Sequence, residues 1–155
     1  IIPIEIFKLT NLKKLYLNIN RIKSMPIEIC NLVNLEELQL SYTEIVTLPI
    51  EINKLLKLKK ISFSFTKINN TLLNINNLNN LIFLDLSYIS IETVPNDIFN
   101  LFNLNILNLI GNKINIIPVD IKNLLNLKEL WLMDNKIDKI PIELCNLLNL
   151  ECLNL

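Results

Sequence analysis

Few side chains in this sequence could perform catalysis or bind a metal. Histidine, the commonest general base and neutral metal ligand, is absent from the 155 residues. Paired carboxylates occur, as in Glu36-Glu37, but neighbours on a strand point to opposite sides of it and do not converge on one substrate. A glycine-rich phosphate loop is also missing, since the chain contains one glycine. The sequence therefore predicts no enzymatic activity, no metal site and no cofactor.

The chemistry of molecular recognition is better represented, most clearly in the segment ELWLMDN at residues 129–135. If this segment is a strand, alternation places Leu130 and Leu132 on one face and Trp131 and Met133 on the other. A hydrophobic core explains the two leucines. Tryptophan and methionine on the opposite face are typical of binding surfaces, where large apolar side chains contribute much of the affinity. The surrounding elements decide which residues share that face.

The sequence is a tandem repeat with a period of 23 residues. Each unit opens with the pattern LxxLxL, and prolines recur later in the unit at residues 3, 26, 49, 95, 118 and 141. The leucines of the first column are Leu12, Leu35, Leu58, Leu81, Leu104, Leu127 and Leu150. Six complete repeats start at Leu12, with partial repeats at both ends, which predicts a single domain over residues 1–155.

These columns resemble the leucine-rich repeat family in its 23-residue form, LxxLxLxxNxLxxLPxxIxxLxx, over essentially the whole chain. The segments PIEICNL and PIELCNL are similar to those of intracellular scaffolds in Ras signalling and cell polarity. The resemblance implies an α/β right-handed solenoid. Its parallel sheet would be curved and concave, and its convex side would carry short helical or 3-10 segments. The resemblance also implies a non-enzymatic module that binds other proteins.

The residue pattern supports the same architecture independently of the resemblance. The period of two in LxLxL indicates a short strand, while isoleucine and leucine three residues apart after the proline indicate one helical turn. Proline is tolerated at the first helical position, and Glu28, Glu51 and Glu143 favour a helix N-terminus. Parallel strands lie about 4.8 Å apart, so equal positions of successive repeats should stand side by side.

Stacking of equal positions predicts an apolar patch on the solvent side of the sheet. Phe83 should neighbour Ile106, and Ile110 should neighbour Met133. The candidate binding residues are Phe83, Ile106, Ile110, Trp131 and Met133, ringed by Asp85, Asn108, Glu129 and Asp134. Contiguous exposed apolar area marks an interface. The alternatives are cover by a flanking segment, or drift on a tolerant surface, since AT-rich codon bias also supplies isoleucine, phenylalanine and asparagine.

A second candidate surface consists of Tyr42, Phe65 and Tyr88, which occupy one position in successive repeats. Three aromatic rings stacked along one rim could stabilise the turns after the strands. They could also present a ring-lined strip to a partner. Both interpretations are open at the level of the sequence.

Lysine and glutamate pairs alternate in the first three repeats as Lys13-Lys14, Glu36-Glu37 and Lys59-Lys60. Opposite charges on adjacent strands favour self-paired surface charge over an electrostatic docking site. The formal net charge is zero, so no overall field attracts nucleic acid. No apolar run approaches the roughly 18 residues that membrane insertion needs. The expected partner is the protein that the resemblance implies.

The ninth position of the repeat predicts where the array is regular. Asparagine there can satisfy backbone groups where the chain leaves the strand, threonine is a weaker substitute, and isoleucine cannot form a side-chain hydrogen bond. The residues at this position are Asn20, Thr43, Thr66, Ile89, Asn112 and Asn135. The third repeat also carries Thr71-Leu72 where others have proline, so the middle of the array should be its least regular part.

The cysteines and the chain ends bear on location and assembly. Cys30 and Cys145 occupy the same position five repeats apart, about 24 Å at sheet spacing, which is too far for a disulfide. Free thiols favour a reducing, cytoplasmic location, with secretion of a longer precursor left open. Neither end carries the polar cap of a solenoid. We therefore expect either a fragment of a longer array, such as the recognition domain of a multidomain signalling protein or host-directed effector, or end-to-end self-association.

Overall fold

The computed structural model describes residues 2–68 and 75–155. Within them, seven three-residue strands form one parallel sheet in which each strand pairs with the next along the chain. The strands are β1 (Lys14–Tyr16), β2 (Glu37–Gln39), β3 (Lys60–Ser62), β4 (Phe83–Asp85), β5 (Ile106–Asn108), β6 (Glu129–Trp131) and β7 (Cys152–Asn154). Leu15 pairs with Leu38, so the strand register equals the repeat period. The irregularity predicted at Thr71-Leu72 lies outside the described residues.

The opposite side of the described array carries 3-10 helices of five residues, each preceded by a proline. They are Ile4–Lys8, Ile27–Asn31, Ile50–Lys54, Asn96–Asn100, Val119–Asn123 and Ile142–Asn146. Pro26, with φ −62° and ψ 149°, is the N-cap and not the first helical residue that the sequence predicts. Its carbonyl accepts a hydrogen bond from the Ile29 N–H at 3.1 Å, which closes the turn without needing a proline N–H. None of the helices described could cross a membrane.

The leucine and isoleucine columns form one core between the sheet and the 3-10 helices. Leu38, Leu84, Leu107 and Leu130 at the strand centres are fully buried. Burying each such side chain contributes about 1.5–3 kcal/mol. Each repeat buries its leucines against its neighbours, so stacking of repeats, and not any single repeat, creates the core.

Backbone hydrogen bonds continue past the strands into the turn that follows. The Tyr88 N–H donates to the Ile110 carbonyl at 2.8 Å, and the Gly111 N–H donates to the Met133 carbonyl at 2.9 Å. Tyr88 and Gly111 share one position of the repeat, which we call the turn column. Its residues are Ile19, Tyr42, Phe65, Tyr88, Gly111 and Asp134. All have φ between 54° and 67°, a left-handed conformation that costs about 1–2 kcal/mol for each residue with a side chain.

Candidate functional site

The sheet has one face toward the core and one face toward solvent. Burial alternates along β4, β5 and β6, with the central residue buried and both flanking residues partly exposed. We call the solvent side the open face; it is the side that the sequence predicts to be concave. From β4 to β6, including the residue two beyond each strand, its side chains are Phe83, Asp85, Ser87, Ile106, Asn108, Ile110, Glu129, Trp131 and Met133.

The repeat register places the predicted apolar neighbours together. Phe83 pairs with Ile106 across β4 and β5, as the spacing predicts. Ile110 and Met133 occupy equal positions of successive repeats, directly before the turn column. Trp131 lies on the same strand as Glu129 and two residues before Met133. The solvent side of these strands therefore carries large apolar side chains that the core does not use.

The two faces of the ELWLMDN segment differ sharply in exposure. Leu130 is 0% and Leu132 is 2% exposed, whereas Met133 is 43% exposed. Trp131 is half-buried, and the same is true of the other apolar residues of the open face, Phe83, Ile106 and Ile110. Side chains on adjacent strands stand about 4.8 Å apart, so each covers part of its neighbour and the patch is less exposed than the sequence predicts.

Asn108 does not ring the apolar residues as the sequence predicts. It occupies the middle of the open face of β4 to β6, where it pairs with Trp131 in the strand register. Asp85 lies at the β4 edge of this group and pairs with Ser62 on β3. Each side chain accepts a backbone hydrogen bond two residues on, at 3.0 Å, from Ser87 N–H to Asp85 and from Ile110 N–H to Asn108. These short polar side chains hold the chain as it leaves the strand.

The other two predicted polar neighbours do lie beside the apolar group. Glu129 is half-buried on β6, between Ile106 on β5 and Cys152 on β7. Asp134 is exposed in the turn column, directly after Met133. The structure thus places carboxylates at two sides of the Trp131–Met133 pair.

A hydrogen-bonded cluster surrounds Asp85. Ser62 Oγ lies 2.7 Å from Asp85 Oδ2, and Ser87 Oγ lies 2.7 Å from Oδ1. Ser41 Oγ is 2.7 Å from Ser62 Oγ, and Ser64 Oγ is 2.8 Å from Ser87 Oγ. A hydroxyl has one proton and a carboxylate only accepts, so Ser62 donates to Asp85 and accepts from Ser41. The single hydroxyl proton of Ser87 has two acceptors within reach, Asp85 Oδ1 and Ser64 Oγ. The hydroxyl protons of Ser62 and Ser87 are therefore used within this serine cluster.

Tyr42, Phe65 and Tyr88 form a continuous stack, which we call the aromatic ladder. Ring centroids are 4.5 Å apart between Tyr42 and Phe65 and 4.4 Å between Phe65 and Tyr88, with interplanar angles of 11° and 12°. The ring faces are turned toward one another, so the ladder presents mainly ring edges to a partner. This geometry favours the turn-stabilising interpretation, with each stacked pair contributing about 0.5–1.5 kcal/mol.

Gly111 adjoins the last ring of the aromatic ladder. It has φ +67°, and a Cβ atom on it would overlap the ring carbons of Tyr88. Glycine at this position of the turn column leaves the space that the Tyr88 ring occupies. Gly111 is the only glycine in the chain, but its sequence position alone does not predict this contact with Tyr88.

The acidic and cysteine side chains bear on whether the structure could bind a metal or form a disulfide. In residues 2–68 and 75–155, no three His, Cys, Asp or Glu side chains lie close enough together to hold a metal ion. Cys30 is half-buried, Cys145 and Cys152 are exposed, and all three are free. The arrangement best suited to a function is therefore the apolar group of the open face.

Several solved structures are similar to this chain in their repeat architecture. A leucine-rich repeat protein of Leptospira interrogans is 34% identical over 97% of this chain and 44% of its own, with a TM-score of 0.76. A TDR receptor is 26% identical over 100% of this chain and 28% of its own, with a TM-score of 0.84. The chain is a leucine-rich repeat solenoid. No protein-family model and no curated protein matches its sequence.

A third solved structure resembles this leucine-rich repeat solenoid. It is the ectodomain of the Arabidopsis thaliana receptor kinase GASSHO1/SCHENGEN3, in complex with Casparian strip integrity factor 2. Identity is 26%, covering 96% of this chain and 19% of the receptor chain, with a TM-score of 0.79. The solenoid thus spans less than half the length of each of these three proteins.

Asn112, at the ninth position of its repeat, satisfies backbone groups as the sequence predicts. It also links its repeat to the preceding one, which the sequence does not predict. Its Nδ2 donates at 2.9 Å to the carbonyls of Leu109 in its own repeat and Leu86 in the preceding one. Its Oδ1 accepts from the N–H groups of Ile89 and Ile91, both at 3.2 Å. Asn112 therefore satisfies backbone groups beside Ile89, whose own side chain cannot do so.

The threonines at the ninth position are weaker substitutes, as predicted. Thr43 donates to the Leu40 carbonyl and Thr66 to the Phe63 carbonyl, both at 2.7 Å and both within one repeat. Asn135, in contrast, donates to carbonyls in its own repeat and in the preceding one. A threonine hydroxyl is too short to make the second connection.

A further set of asparagines, not predicted from the sequence, also joins neighbouring repeats. Five asparagines directly before the first leucine column donate from Nδ2 to a carbonyl 24 residues earlier, at 2.6–2.9 Å. They are Asn34, Asn80, Asn103, Asn126 and Asn149. Their fixed spacing was the available signal. Codon bias had made asparagine abundance uninformative, but the spacing carries information that abundance does not.

The charged end of the open face pairs with itself, as the alternation predicts. Glu36 lies between Lys59 at 2.8 Å and Lys13 at 3.8 Å, and Glu37 lies 3.6 Å from Lys14. The hydrogen bond and positive charge of Lys59 hold the pKa of Glu36 below its ordinary value. These carboxylates are engaged with neighbouring repeats, which makes this end a poor candidate for an electrostatic docking site.

Proposed function

We propose that this solenoid is a non-enzymatic module that binds a protein through the open face of β4 to β6. Trp131 and Met133 stand at the centre of the proposed contact, and Phe83, Ile106 and Ile110 extend it. The observation that carries the proposal is the placement of these large apolar side chains on the solvent side of three consecutive strands. Core packing does not require them there.

The rigidity of the surface supports this proposal. Every strand is paired in one sheet, so binding need not order the backbone, which reduces the entropic cost of association. Asp85 and Asn108 already accept backbone hydrogen bonds between the apolar residues. Tryptophan in such a setting is a common source of binding energy. The Arabidopsis receptor ectodomain, similar in fold, was itself solved with a bound factor.

The experiment compares two double variants in capture of partners from extract of the source cells. Trp131→Ala with Met133→Ala should reduce the captured amount at least tenfold, equivalent to about 1.4 kcal/mol, and leave the circular dichroism spectrum unchanged. Ile27→Ala with Ile50→Ala is the matched control, because these 53% and 57% exposed side chains lie on the 3-10 helices. Equal capture by both variants would remove the open face from the proposal.

The aromatic ladder is proposed as a secondary contact through its ring edges. Tyr42, Phe65 and Tyr88 remain 54%, 42% and 40% exposed although their faces are stacked. A tyrosine edge with its hydroxyl suits hydrogen bonding at the rim of an interface.

The wider role proposed is recognition within a longer signalling protein or host-directed effector. The support is that the solenoid covers between 19% and 44% of three similar proteins. The free thiols support a reducing, cytoplasmic setting as the proposed location. End-to-end self-association stays a prediction, which sedimentation at increasing protein concentration checks.

A further inference from the structure

The part of the open face that holds Trp131 has a one-sided charge. From the first residue of the strand to the turn column, β4, β5 and β6 together carry three acidic residues and no lysine or arginine. The acidic residues are Asp85, Glu129 and Asp134. The surface proposed to bind a protein is therefore both apolar and anionic.

Lys60 on β3 neighbours Phe83 at the edge of this surface, but the lysine beside Glu129 does not neutralise it. Lys128 precedes Glu129 in sequence, but its ammonium group lies 2.8 Å from the carboxylate of Glu151. Within the described part of the chain, Glu129 and Asp134 form no ion pair. Their charges are available to an incoming group, in contrast to Glu36, which two lysines already hold.

The serine cluster adds hydrogen-bond acceptors beside these charges. Ser62 directs its hydroxyl proton toward Asp85, and Ser87 directs its proton toward Asp85 or Ser64, so from a partner these two hydroxyls can only accept. Asp85 accepts up to two hydroxyl protons and the Ser87 N–H, which leaves at least one of its roughly four acceptor sites. A group that suits this part of the face must donate hydrogen bonds and carry positive charge. Lysine and arginine side chains have only donors.

Resting on the proposed function, we infer that the partner contributes a segment in which lysine or arginine lies close to a large apolar side chain. The apolar side chain packs on Trp131 and Met133, and the cation meets one of the carboxylates of Asp85, Glu129 and Asp134. Two strand spacings separate β4 from β6, about 10 Å, which an extended segment crosses with about three residues. Both side chains therefore fit within one short stretch of the partner.

A displayed library of random peptides, selected on the whole chain, tests this inference. Selected peptides should place lysine or arginine within about three residues of a large apolar residue. Glu129→Gln with Asp134→Asn should weaken their binding about threefold to tenfold and reduce its dependence on salt. This pair preserves shape, and asparagine tolerates the left-handed conformation of residue 134, where φ is 56°.

The matched control removes the same net charge from the other side of the solenoid. Asp120→Asn with Glu143→Gln changes the first turns of two 3-10 helices, and peptide affinity should stay within about twofold of the parent, because exposed charges more than about 10 Å away are screened at 0.1 M salt. Equal weakening by both double variants would overturn the inference, since it would reflect net charge alone.

The library separates failure of the inference from failure of the proposed function. Selected peptides without a basic residue, lost on Trp131→Ala with Met133→Ala, would overturn the inference and leave the proposed function standing. Peptides that ignore that double variant would count against both. A selection that enriches no sequence would also overturn the inference, because the library contains short segments of the required kind.

Discussion

Gly111 meets the aromatic ladder where the ring of Tyr88 fills the space that a side chain would need. Replacing Gly111 with alanine places a Cβ atom against that ring and adds the cost of a left-handed residue. We expect Gly111→Ala to lower the free energy of unfolding by about 2–4 kcal/mol, from roughly 1–2 kcal/mol of backbone cost and the rest from displacement of the ring. Urea denaturation measures this loss.

A double-mutant cycle isolates the contribution of the ring. In a Tyr88→Ala background, Gly111→Ala should lower the free energy of unfolding by only about 1–2 kcal/mol, because the backbone term alone remains. An equal loss in both backgrounds would mean that the ring contact does not determine the need for glycine at this position.

Glu36 provides a residue-scale prediction about pH. A lowered pKa means that the folded state favours the ionised carboxyl, so this contribution to stability is present above the ordinary carboxyl range and is lost as pH falls through the lowered pKa. Lys59→Met should raise the pKa of Glu36 toward its ordinary value, as followed by NMR titration of the side-chain carboxyl carbon. Lys60→Met is the control, because Lys60 forms no ion pair within the described residues. The same Glu36 pKa in both variants would contradict the assigned cause.

At the scale of elements, the solenoid contains two kinds of turn after its strands. Three successive repeats leave the strand through SYT, SFT and SYI, at residues 41–43, 64–66 and 87–89. These repeats lack the ninth-position asparagine and instead carry the serine cluster and the aromatic ladder. Where asparagine returns, as at Asn112 and Asn135, the residue before it is not aromatic. Ring stacking and hydroxyl contacts between repeats thus replace the links that asparagine makes elsewhere.

The repeat period determines which features of the sheet can be predicted from the sequence. A spacing of 23 residues fixes the strand register, so Phe83 beside Ile106 and the burial of Leu130 and Leu132 could be predicted. The period does not fix side-chain orientation. Asp85 turns toward the serines, and the rings turn their faces to one another, because rotamers and hydrogen bonds between adjacent repeats decide these contacts.

For the whole molecule, stability depends on links between neighbouring repeats, since each repeat contacts mainly the next. Asn112 connects its repeat to the preceding one through three hydrogen bonds, to Leu86, Ile89 and Ile91, and makes a fourth to Leu109 in its own repeat. Thr43 occupies the same repeat position but donates only to the Leu40 carbonyl of its own repeat. Alanine substitutions at these two positions therefore separate a link between repeats from a local turn contact.

Asn112→Ala should lower the free energy of unfolding by about 3–5 kcal/mol, because several buried backbone groups lose their partners at about 1–3 kcal/mol each. Thr43→Ala should lower it by only about 1–2 kcal/mol, because one carbonyl within the repeat loses its partner. Loss of the Asn112 link should also let the two sides of the array unfold separately, which lowers the apparent m-value in urea. Equal losses at both positions, or an unchanged m-value after Asn112→Ala, would contradict the view that this asparagine couples the two halves into one cooperative unit.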